Sequence, residues 1–443
     1  MVSPDFIIAH ENDDLATLVL QRDRWPDVDV ALAAECIASR RKLKLKVPEW
    51  YADPALICPV ALSAEQCSST ATAAHKAAIA GSSLPCGGAM PGLGSPCGTQ
   101  PGPLPLADGP ERRTARIADL TGGLGVDSWQ FSKVAAAVLY NEMNPLLFET
   151  AKANLGRLGC DNVEFSNICI SPDTLPGLLD SFRPDLVFID PARRSEGRKV
   201  FLPEDCSPDV LALQDIILKR GCRLMLKLSP MADISLLLRK FHCVKELHVV
   251  EADGECKELL LVQEPGFDGE CTVFVEIVGQ AGSDGQAGND EEQGGRFSFK
   301  PSEEKVATAT FISTLPAPGQ LLFEPGPALM KSGAFNLLSA RFELRKLGPS
   351  THLYISDNPL LELIRLGKWF AIEAVEPFGK AALRDFATLW PDAEVSARAL
   401  PLSSDELRKK MGVKGGGDVH IFGVGTSQGR LLIAASKATL DLR

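Results

Sequence analysis

The sequence predicts an α/β fold built on a doubly wound parallel sheet. From Ile117 to about Val262, short apolar runs alternate with turns and amphipathic segments, a pattern typical of a sheet covered by helices on both faces. Two motifs stand out: a glycine-rich turn directly after residues 116–119, and Asp190-Pro191 directly after residues 186–189. Ligands bind such sheets at the carboxyl ends of the strands, which is where both motifs are expected.

Length and composition allow several globular domains. The chain has 443 residues, which exceeds the size at which a single core stops growing, and 45 % of them are hydrophobic. A net charge of −11 argues against a surface that binds nucleic acid throughout, although it leaves room for a local basic patch. The 12 cysteines contain no Cys-x-x-Cys pair and the six histidines form no cluster at ligand spacing, so we expect no metal site.

The N-terminus predicts neither secretion nor a membrane anchor. Residues 1–6 lack a basic start, and no apolar run approaches 18 residues. We therefore expect reduced cysteines and a cytoplasmic protein. Cys86 and Cys97 are the one close pair in a segment of low apolar content, and a disulfide or metal there is the less favoured alternative.

Residues 1–61 are predicted to form a small helical domain, because apolar and charged residues alternate there at helical spacing until Pro48 and Pro54. The basic run Arg40–Lys46 could contact phosphate, but a solvated helix face is the favoured interpretation. A second helix is predicted over 62–77, with Ser63 as its cap and Gln66 completing a capping box.

The domain predicted to carry the doubly wound sheet spans residues 62–265. Its segment 81–110 is rich in Gly, Pro and Ser and is predicted to be a mobile loop. Strands are predicted at 116–119, 135–140, 163–165, 186–190 and 223–228, with helices at 145–158 and 208–219. Residues 244–251 and 257–262 flank Asp253-Gly254 and predict a closing antiparallel hairpin, which is unusual for a dinucleotide dehydrogenase.

Two further domains are predicted, at 266–362 and 363–443. Residues 251–300 carry 12 acidic against 3 basic side chains and include the polar stretch 279–295, which we expect to be flexible. Strand-like and helix-like segments between about 296 and 360 indicate a small α+β domain. Residues 361–443 hold 12 basic and 10 acidic side chains, with a basic cluster at Arg408–Lys414, so RNA binding by this end is not excluded.

The glycine turn predicts a binding site for S-adenosylmethionine (SAM). Glycines let the chain turn sharply and approach the amino-acid part of a cofactor without a Cβ in the way. The next strand ends in Glu142, where an acid can hydrogen-bond both hydroxyls of a ribose. The alternative is a turn with a purely structural role. The glycine turn and Glu142 follow consecutive strands, and this combination favours a cofactor. The predicted cofactor-binding residues are Asp119, Thr121, Gly122, Gly123, Gly125, Glu142, Met143 and Asn167.

The Asp-Pro motif predicts the catalytic residues Asp190 and Pro191. A carboxylate at the rim of the sheet can accept a hydrogen bond from an amine and turn its lone pair toward the methyl group, so catalysis is chiefly by positioning. Proline restricts the local backbone and removes a competing N–H group. The alternative is that Asp190 only caps the following helix.

Four residues near this rim are candidates for binding the methyl acceptor: Arg193, Arg194, Lys227 and Ser229. The two arginines could hold a substrate phosphate or could equally pair with nearby acids such as Glu196. Lys227 and Ser229 follow the next strand, where a turn that redirects the chain is the default interpretation.

These residues also resemble a family: class I SAM-dependent methyltransferases with a C-terminal THUMP-like domain. The resemblance covers nearly the whole chain. It rests on six segments, namely Glu65–Lys76, Ile117–Asp127, Val187–Arg194, Glu324–Phe335, Leu400–Lys410 and Gly416–Gly423. It implies a Rossmann-like class I methyltransferase sheet preceded by helices, a ferredoxin-like domain over 266–362 and a THUMP-like domain at the end.

The resemblance also implies an acceptor. THUMP proteins engage structured RNA, which implies RNA as partner, and the Asp-Pro motif is similar to the Asp/Asn-Pro-Pro-aromatic motif of amino-methylating enzymes. Ala192 and Arg193 replace the second proline and the aromatic residue that would stack on a base. The family's acid after the third strand is absent, and Asn167 could instead offer an amide oxygen to the adenine amine.

The sequence is compatible with three functions. The favoured one is an RNA methyltransferase acting on a base amine. The second is the same chemistry on a protein or small molecule, and the third is an RNA-binding module whose methyltransferase fold has lost turnover. The sequence predicts no oligomeric state.

Overall fold

A computed structural model describes residues 2–82, 114–193, 203–279 and 295–438. The predicted loop 81–110 lies outside the described residues, except that Gly81 and Ser82 end a helix. Cys86, Cys97 and nearly all of the polar stretch 279–295 also lie outside them.

The chain divides into two compact units. The first comprises Met1–Glu246, Glu258–Gly269 and Val278–Glu292, and the second comprises Leu247–Lys257, Glu270–Ile277 and Gln293–Arg443. The four-domain division at 1–61, 62–265, 266–362 and 363–443 stays a prediction. Within the part of the chain that the structure describes, no helix combines the length and apolar character needed to cross a bilayer.

The first unit begins with short helices that polar side chains cap. Ser3, Asp14 and Asp29 each accept a backbone N–H bond in the first turn of the helix that follows. The helices are α1 Pro4–Ala9, α2 Leu15–Leu20, α3 Val30–Lys46, α4 Pro48–Ala52, α5 Ala61–Gln66 and α6 Thr70–Ser82, with a 3₁₀ turn at Arg22–Arg24.

The basic run on α3 serves the packing of these helices. The Arg40 guanidinium donates to the carbonyl of Tyr51, and Arg41 donates to the carbonyls of Glu11 and Asp13. Lys42 pairs with Glu65 at 2.6 Å. These contacts tie the run to neighbouring helices, and contact of the run with phosphate stays a prediction.

The predicted helix over 62–77 is wrong in its extent and in its cap. The structure breaks it into α5 and α6 at Cys67–Ser69, and Ser63 lies inside α5. The cap of α6 is Ser69, which exchanges hydrogen bonds with Thr72: each hydroxyl accepts the backbone N–H of the other residue, at 3.1 and 3.2 Å. The break frees Ser68 to bond Asp127 on another helix, a long-range contact that local pattern does not reveal.

A parallel sheet follows, as predicted. Its elements are β1 Arg116–Asp119, α7 Val126–Val134, β2 Ala137–Asn141, α8 Pro145–Arg157, β3 Val163–Ser166, α9 Leu175–Phe182, β4 Leu186–Ile189, β5 Ala192–Arg193, β6 Cys206–Ser207, α10 Val210–Leu218, β7 Arg223–Leu228, α11 Ile234–Lys240, β8 Val244–Ala252 and β9 Glu255–Gln263, with a 3₁₀ turn at Pro203–Asp205. Strands β1, β2, β3, β4 and β7 run parallel, and β9 runs antiparallel to β7.

The strand order is β3-β2-β1-β4-β7-β9-β8, where the first three residues of β8 belong to the first unit. Strands β2 and β3 are added on one side of β1, and β4 and β7 are added on the other side. The direction of the strand order therefore reverses between β1 and β4, which is where the ligand crevice of a doubly wound sheet lies. The predicted hairpin is confirmed: Asp253 and Gly254 both have positive φ, the geometry of a two-residue hairpin turn.

Among the described residues, the second unit contains the rest of β8, the first three residues of β9 and ten further strands. Their bounds, with those of the helices, are β10 Thr272–Ile277, β11 Arg296–Phe299, α12 Pro301–Val306, β12 Thr310–Phe311, β13 Leu321–Pro325, α13 Pro327–Ser332, α14 Phe335–Phe342, β14 Arg345–Lys346, β15 Tyr354–Ser356, β16 Gly367–Pro377, α15 Lys380–Leu389, β17 Glu394–Arg398, α16 Ser404–Met411, β18 Val419–Thr426 and β19 Gly429–Lys437, with a 3₁₀ turn at Leu361–Leu363. Strand β10 lies between β8 and β11.

One eight-stranded sheet dominates this unit, in the order β12-β14-β15-β13-β16-β19-β18-β17. Strands β13 and β16 pair antiparallel from Leu321↔Ala371 to Pro325↔Gly367. Helices α13 and α14 are separated at Gly333, whose φ of +82° ends α13. Buried aliphatic and aromatic side chains such as Leu322, Ile355 and Phe422 form the core of this sheet.

Candidate functional site

The glycine turn lies at the carboxyl end of β1, in the first unit. The N–H of Gly122 donates to the carbonyl of Asn141 at 2.8 Å, and the N–H of Gly125 donates to the carbonyl of Gly122 at 2.8 Å. Gly123 and Gly125 have φ of +52° and +90°, the left-handed region that favours glycine. The turn is therefore held against the ends of two neighbouring strands and leads directly into α7.

Gly122 is required by a close approach rather than by its φ angle. A Cβ at this position would lie 2.1 Å from Cε2 of Tyr140, a buried ring whose hydroxyl donates to the carbonyl of Gly123 at 2.7 Å. We expect Gly122→Ala to cost about 1–3 kcal/mol of unfolding free energy, because the ring must shift, and to weaken SAM binding by distorting the turn.

Urea denaturation and calorimetric titration with SAM would measure both effects. The matched control is Gly156→Ala on α8, where an added Cβ meets nothing within 4 Å. Equal behaviour of the two variants would show that the turn tolerates a side chain at position 122.

Asp119 faces the protein rather than the surface of the site. Its carboxylate is only 1 % exposed, accepts the Ser128 hydroxyl at 2.6 Å and accepts the Thr121 N–H at 3.1 Å. Burial, reinforced by the nearby carboxylates of Asp127 and Asp190, raises the pKa of Asp119 to about 7 against the opposing effect of these hydrogen bonds. The side chain positions the glycine turn, and contact of Asp119 with a cofactor stays a prediction.

This buried acid predicts a pH dependence of stability. In the unfolded chain Asp119 ionises near its ordinary pKa of 3.8, whereas the folded protein keeps its proton until about pH 7. The folded state therefore binds more protons in this window, so the contribution of Asp119 to stability falls as pH rises from about 4 to about 7 and is level above that.

Comparison of the wild type with Asp119→Asn by urea denaturation at pH 5 and pH 8 would test this dependence. We expect the wild type to lose roughly 2–3 kcal/mol relative to the variant over that range. A difference between the two proteins that is independent of pH would contradict a raised pKa at Asp119.

Glu142 follows β2 and lies beside the glycine turn. One carboxylate oxygen accepts the N–H of Gly123 at 3.0 Å, and the other accepts the N–H of Asn144 at 2.7 Å. Met143 is 62 % exposed, and Asn167 is exposed after β3 with its amide nitrogen donating to the carbonyl of Glu142 at 2.5 Å. This bond uses the amide nitrogen of Asn167. Contact of its amide oxygen with the adenine amine of a cofactor stays a prediction.

Asn141 is a site residue that sequence reasoning missed. It is buried, its amide nitrogen donates to the carbonyls of Leu120 and Ile168 at 3.1 Å, and its amide oxygen accepts the N–H of Ile168 at 3.1 Å. One side chain thus ties together the turns that follow β1, β2 and β3. A polar residue at the end of an apolar strand was the signal that could have revealed it.

Asp190 lies at the carboxyl end of β4 and is joined to both neighbouring turns. Its N–H donates to the Thr121 hydroxyl at 2.7 Å, which links the two sequence motifs directly. Its Oδ2 accepts a hydrogen bond from the Lys227 ammonium at 2.6 Å. Lys227 is mostly buried, which by itself disfavours its charge, but the carboxylates of Asp190, Glu258 and Asp127 outweigh burial and raise the pKa of Lys227.

The other three residues predicted to bind the acceptor are Arg193, Arg194 and Ser229. Arg193 belongs to β5 and pairs with Cys206 of β6, while Arg194 lies outside the described residues. The Ser229 hydroxyl accepts the N–H of Met231 at 3.2 Å, so it stabilises the turn after β7. Roles of these residues in binding an acceptor remain predictions.

The residues at this rim fit SAM. An open turn rich in glycine, a carboxylate at the end of β2 and a half-buried carboxylate after β4 meet at the carboxyl ends of β1, β2 and β4. The first two suit the amino-acid and ribose parts, and a carboxylate suits the neighbourhood of a sulfonium cation.

A second concavity lies at the other end of the strands. A cleft of about 530 Å³ is lined by residues around the amino ends of β2 and β3, including Trp129, Lys133 and Cys160. Since ligands of doubly wound sheets bind at the carboxyl ends, this cleft is not part of the candidate site.

Comparisons with known proteins agree with this geometry. Residues 321–362 match a ferredoxin-like domain family, and residues 367–437 match a THUMP domain-like family. Two proteins of Mycobacterium tuberculosis, from strains CDC 1551 and H37Rv, are 25 % identical over 315 residues, which is 70 % of this chain and 78 % of each relative. Both are named as uncharacterised S-adenosylmethionine-dependent methyltransferases.

A solved structure is similar over almost the whole chain. A protein of Porphyromonas gingivalis W83, assigned as a methyltransferase, is 27 % identical with a TM-score of 0.77, over 98 % of this chain and 97 % of that one. The two matched C-terminal domains, the strand order and these relatives confirm the predicted fold class and the predicted cofactor. The sheet and these relatives thus support an S-adenosylmethionine-dependent methyltransferase activity for this chain, and its C-terminal part matches a ferredoxin-like and a THUMP domain-like family.

Proposed function

We propose that this enzyme transfers a methyl group from SAM to a base amine of structured RNA. The observation that carries the proposal is a THUMP-like domain in the same chain as a carboxylate, Asp190, at the carboxyl rim of a methyltransferase sheet. THUMP domains engage structured RNA, so the domain supplies an acceptor that the catalytic sheet alone does not identify.

When bound, SAM supplies a methyl group that its sulfonium activates. Glu142 would hold the ribose, and the amides of the glycine turn would meet the amino-acid part. Lys227 donates a hydrogen bond to Oδ2 of Asp190, so Oδ1 is the oxygen that would accept a hydrogen bond from the acceptor amine. In this arrangement Asp190 orients the lone pair of the amine. Its negative charge stabilises the positive charge that develops on the amine nitrogen during transfer.

The acceptor class is also supported by the surface of α16. Leu407 and Met411 are buried on one side of this helix, whereas Lys409 and Lys410 are exposed on the other. Lys414 is exposed just beyond the helix end. Exposed lysines on a helix can neutralise the phosphates of a nucleic acid whatever its base sequence.

Replacing Lys409 and Lys410 together by alanine tests the role of this surface. We expect weaker binding to total RNA and a salt dependence of binding that is shallower by about two, because each lysine that meets a phosphate contributes about one to that slope. Filter binding between 50 and 200 mM salt would measure both quantities.

The matched control is Lys300→Ala with Lys305→Ala, which removes the same charge from exposed positions at α12 in the same unit. Equal losses in the two double variants would indicate non-specific attraction and would contradict an RNA surface at α16.

The acceptor itself is identified by mass spectrometry of nucleosides in RNA from cells with and without the gene. One nucleoside that disappears would name both base and atom. If the protein bound SAM but transferred no tritium to RNA from the deletion strain, a protein or small-molecule acceptor, or a binding module without turnover, would replace this proposal.

A further inference from the structure

The first unit contains a buried network of charged side chains. At its centre is Lys76 of α6, whose side chain is fully buried. Its ammonium is 3.0 Å from Oδ1 of Asp127, donates to the Ser68 hydroxyl at 2.8 Å and lies 3.2 Å from both carboxylate oxygens of Glu258. The Ser68 hydroxyl donates in turn to the other carboxylate oxygen of Asp127 at 2.8 Å.

The network adjoins the cofactor site. Asp127 lies two residues after Gly125 in the first turn of α7, and its neighbour Ser128 donates to Asp119 at 2.6 Å. Glu258 directly precedes Leu259, which pairs with Leu228 at the carboxyl end of β7, one residue after Lys227. Together with Asp190, the carboxylates of Glu258 and Asp127 raise the pKa of Lys227 against the opposing effect of its burial.

The charges of this network do not balance. Three carboxylates, those of Asp127, Asp190 and Glu258, face the two ammonium groups of Lys76 and Lys227. Among the described residues of this network, one negative charge is therefore in excess beside the place where the cofactor sulfonium is expected, and Asp119 adds a second where it is ionised, above about pH 7. Water screens a buried charge of this kind much less than a charge on the surface.

We propose that this excess carboxylate charge makes the enzyme bind SAM more tightly than its product S-adenosylhomocysteine. SAM carries a sulfonium cation, whereas the product is a neutral thioether that is otherwise almost the same molecule. The network thus distinguishes substrate from product by charge and favours release of the spent cofactor. This inference rests on the cofactor of the proposed function and not on its RNA acceptor.

The test is the ratio of the two affinities, measured by calorimetric titration of the full chain with SAM and with S-adenosylhomocysteine. Glu258→Gln removes the excess negative charge, so the preference for SAM falls by roughly ten-fold. Lys76→Met adds a second excess charge, so the preference rises. The double variant restores the charge of the wild type and with it the original ratio.

A merely structural role would weaken both ligands together and leave the ratio unchanged. If Lys76→Met does not fold, Glu258→Gln and Asp127→Asn each remove one negative charge and must each lower the ratio. The matched control is Glu65→Gln, an exposed acid paired with Lys42, which must leave the ratio as it is.

The outcomes separate this inference from the proposed function. An unchanged ratio in Glu258→Gln and Asp127→Asn overturns the inference. The expected ratios together with no methylation of RNA would overturn only the RNA acceptor. A protein that bound neither ligand would refute the cofactor and this inference with it.

Discussion

Lys76→Met should lower the free energy of unfolding by about 3–5 kcal/mol, the usual cost of removing one partner from a buried ion pair. The variant leaves Asp127 and Glu258 in the protein interior without the ammonium that lies within 3.0 and 3.2 Å of them. Methionine matches the length and volume of the lysine, so loss of packing contributes little. Urea denaturation at pH 7 would measure the change.

Two variants give this expectation its controls. Lys42→Met removes the ammonium of the exposed pair with Glu65, and we expect it to cost less than about 1 kcal/mol. Adding Glu258→Gln to Lys76→Met should recover part of the loss, because one uncompensated carboxylate is removed. A Lys76→Met protein as stable as the wild type would mean that water or a rearrangement compensates these carboxylates.

Asp190→Asn should reduce methyl transfer by at least about 100-fold, whereas SAM affinity should fall by only roughly ten-fold, the effect expected for the loss of one negative charge near the sulfonium. Asparagine keeps the shape of the side chain but removes the charge that Lys227 holds at 2.6 Å, and its amide can present a donor to the acceptor amine. Preorganised charge at the reacting group typically contributes a factor of roughly 10²–10³ in rate. Tritium transfer from SAM to RNA of a strain lacking the gene would measure it.

The control for this variant is Asp173→Asn, which neutralises an exposed acid between β3 and α9 of the same unit. Calorimetric titration with SAM would separate a loss of turnover from a loss of cofactor binding. Turnover at the wild-type rate in Asp190→Asn would exclude the assigned role of this carboxylate.

Much of the catalytic sheet could be predicted because its signals are local. Each strand that packs inside a doubly wound sheet must be an apolar run, and each connection must carry residues that turn the chain. The ends of β1 and β4 and the Asp253-Gly254 hairpin turn accordingly appear where the pattern indicates. The prediction of a single helix over 62–77 was wrong because the cause of the break is not local. The break at Cys67–Ser69 places Ser68 against a partner 59 residues away in the sequence.

The C-terminal half shows a similar limit. Separate predictions of an α+β segment and a following domain anticipated both pieces. They did not anticipate that β13, within the ferredoxin-like match, pairs with β16 of the THUMP-like match in a single sheet. Pairing between strands that are distant in sequence depends on register and on which edges remain unpaired, and neither is encoded in one segment.

The sequence by itself determined the fold class, the cofactor and the two motifs at the sheet rim, because apolar periodicity, glycine turns and a carboxylate at a strand end are local properties. Only the tertiary structure decided what these motifs touch. Folding brings Lys76 to Glu258 across 182 positions and joins Asp190 to Thr121 and Lys227. Buried charges must find partners wherever the fold places them, so the electrostatics of the site belong to the folded chain alone.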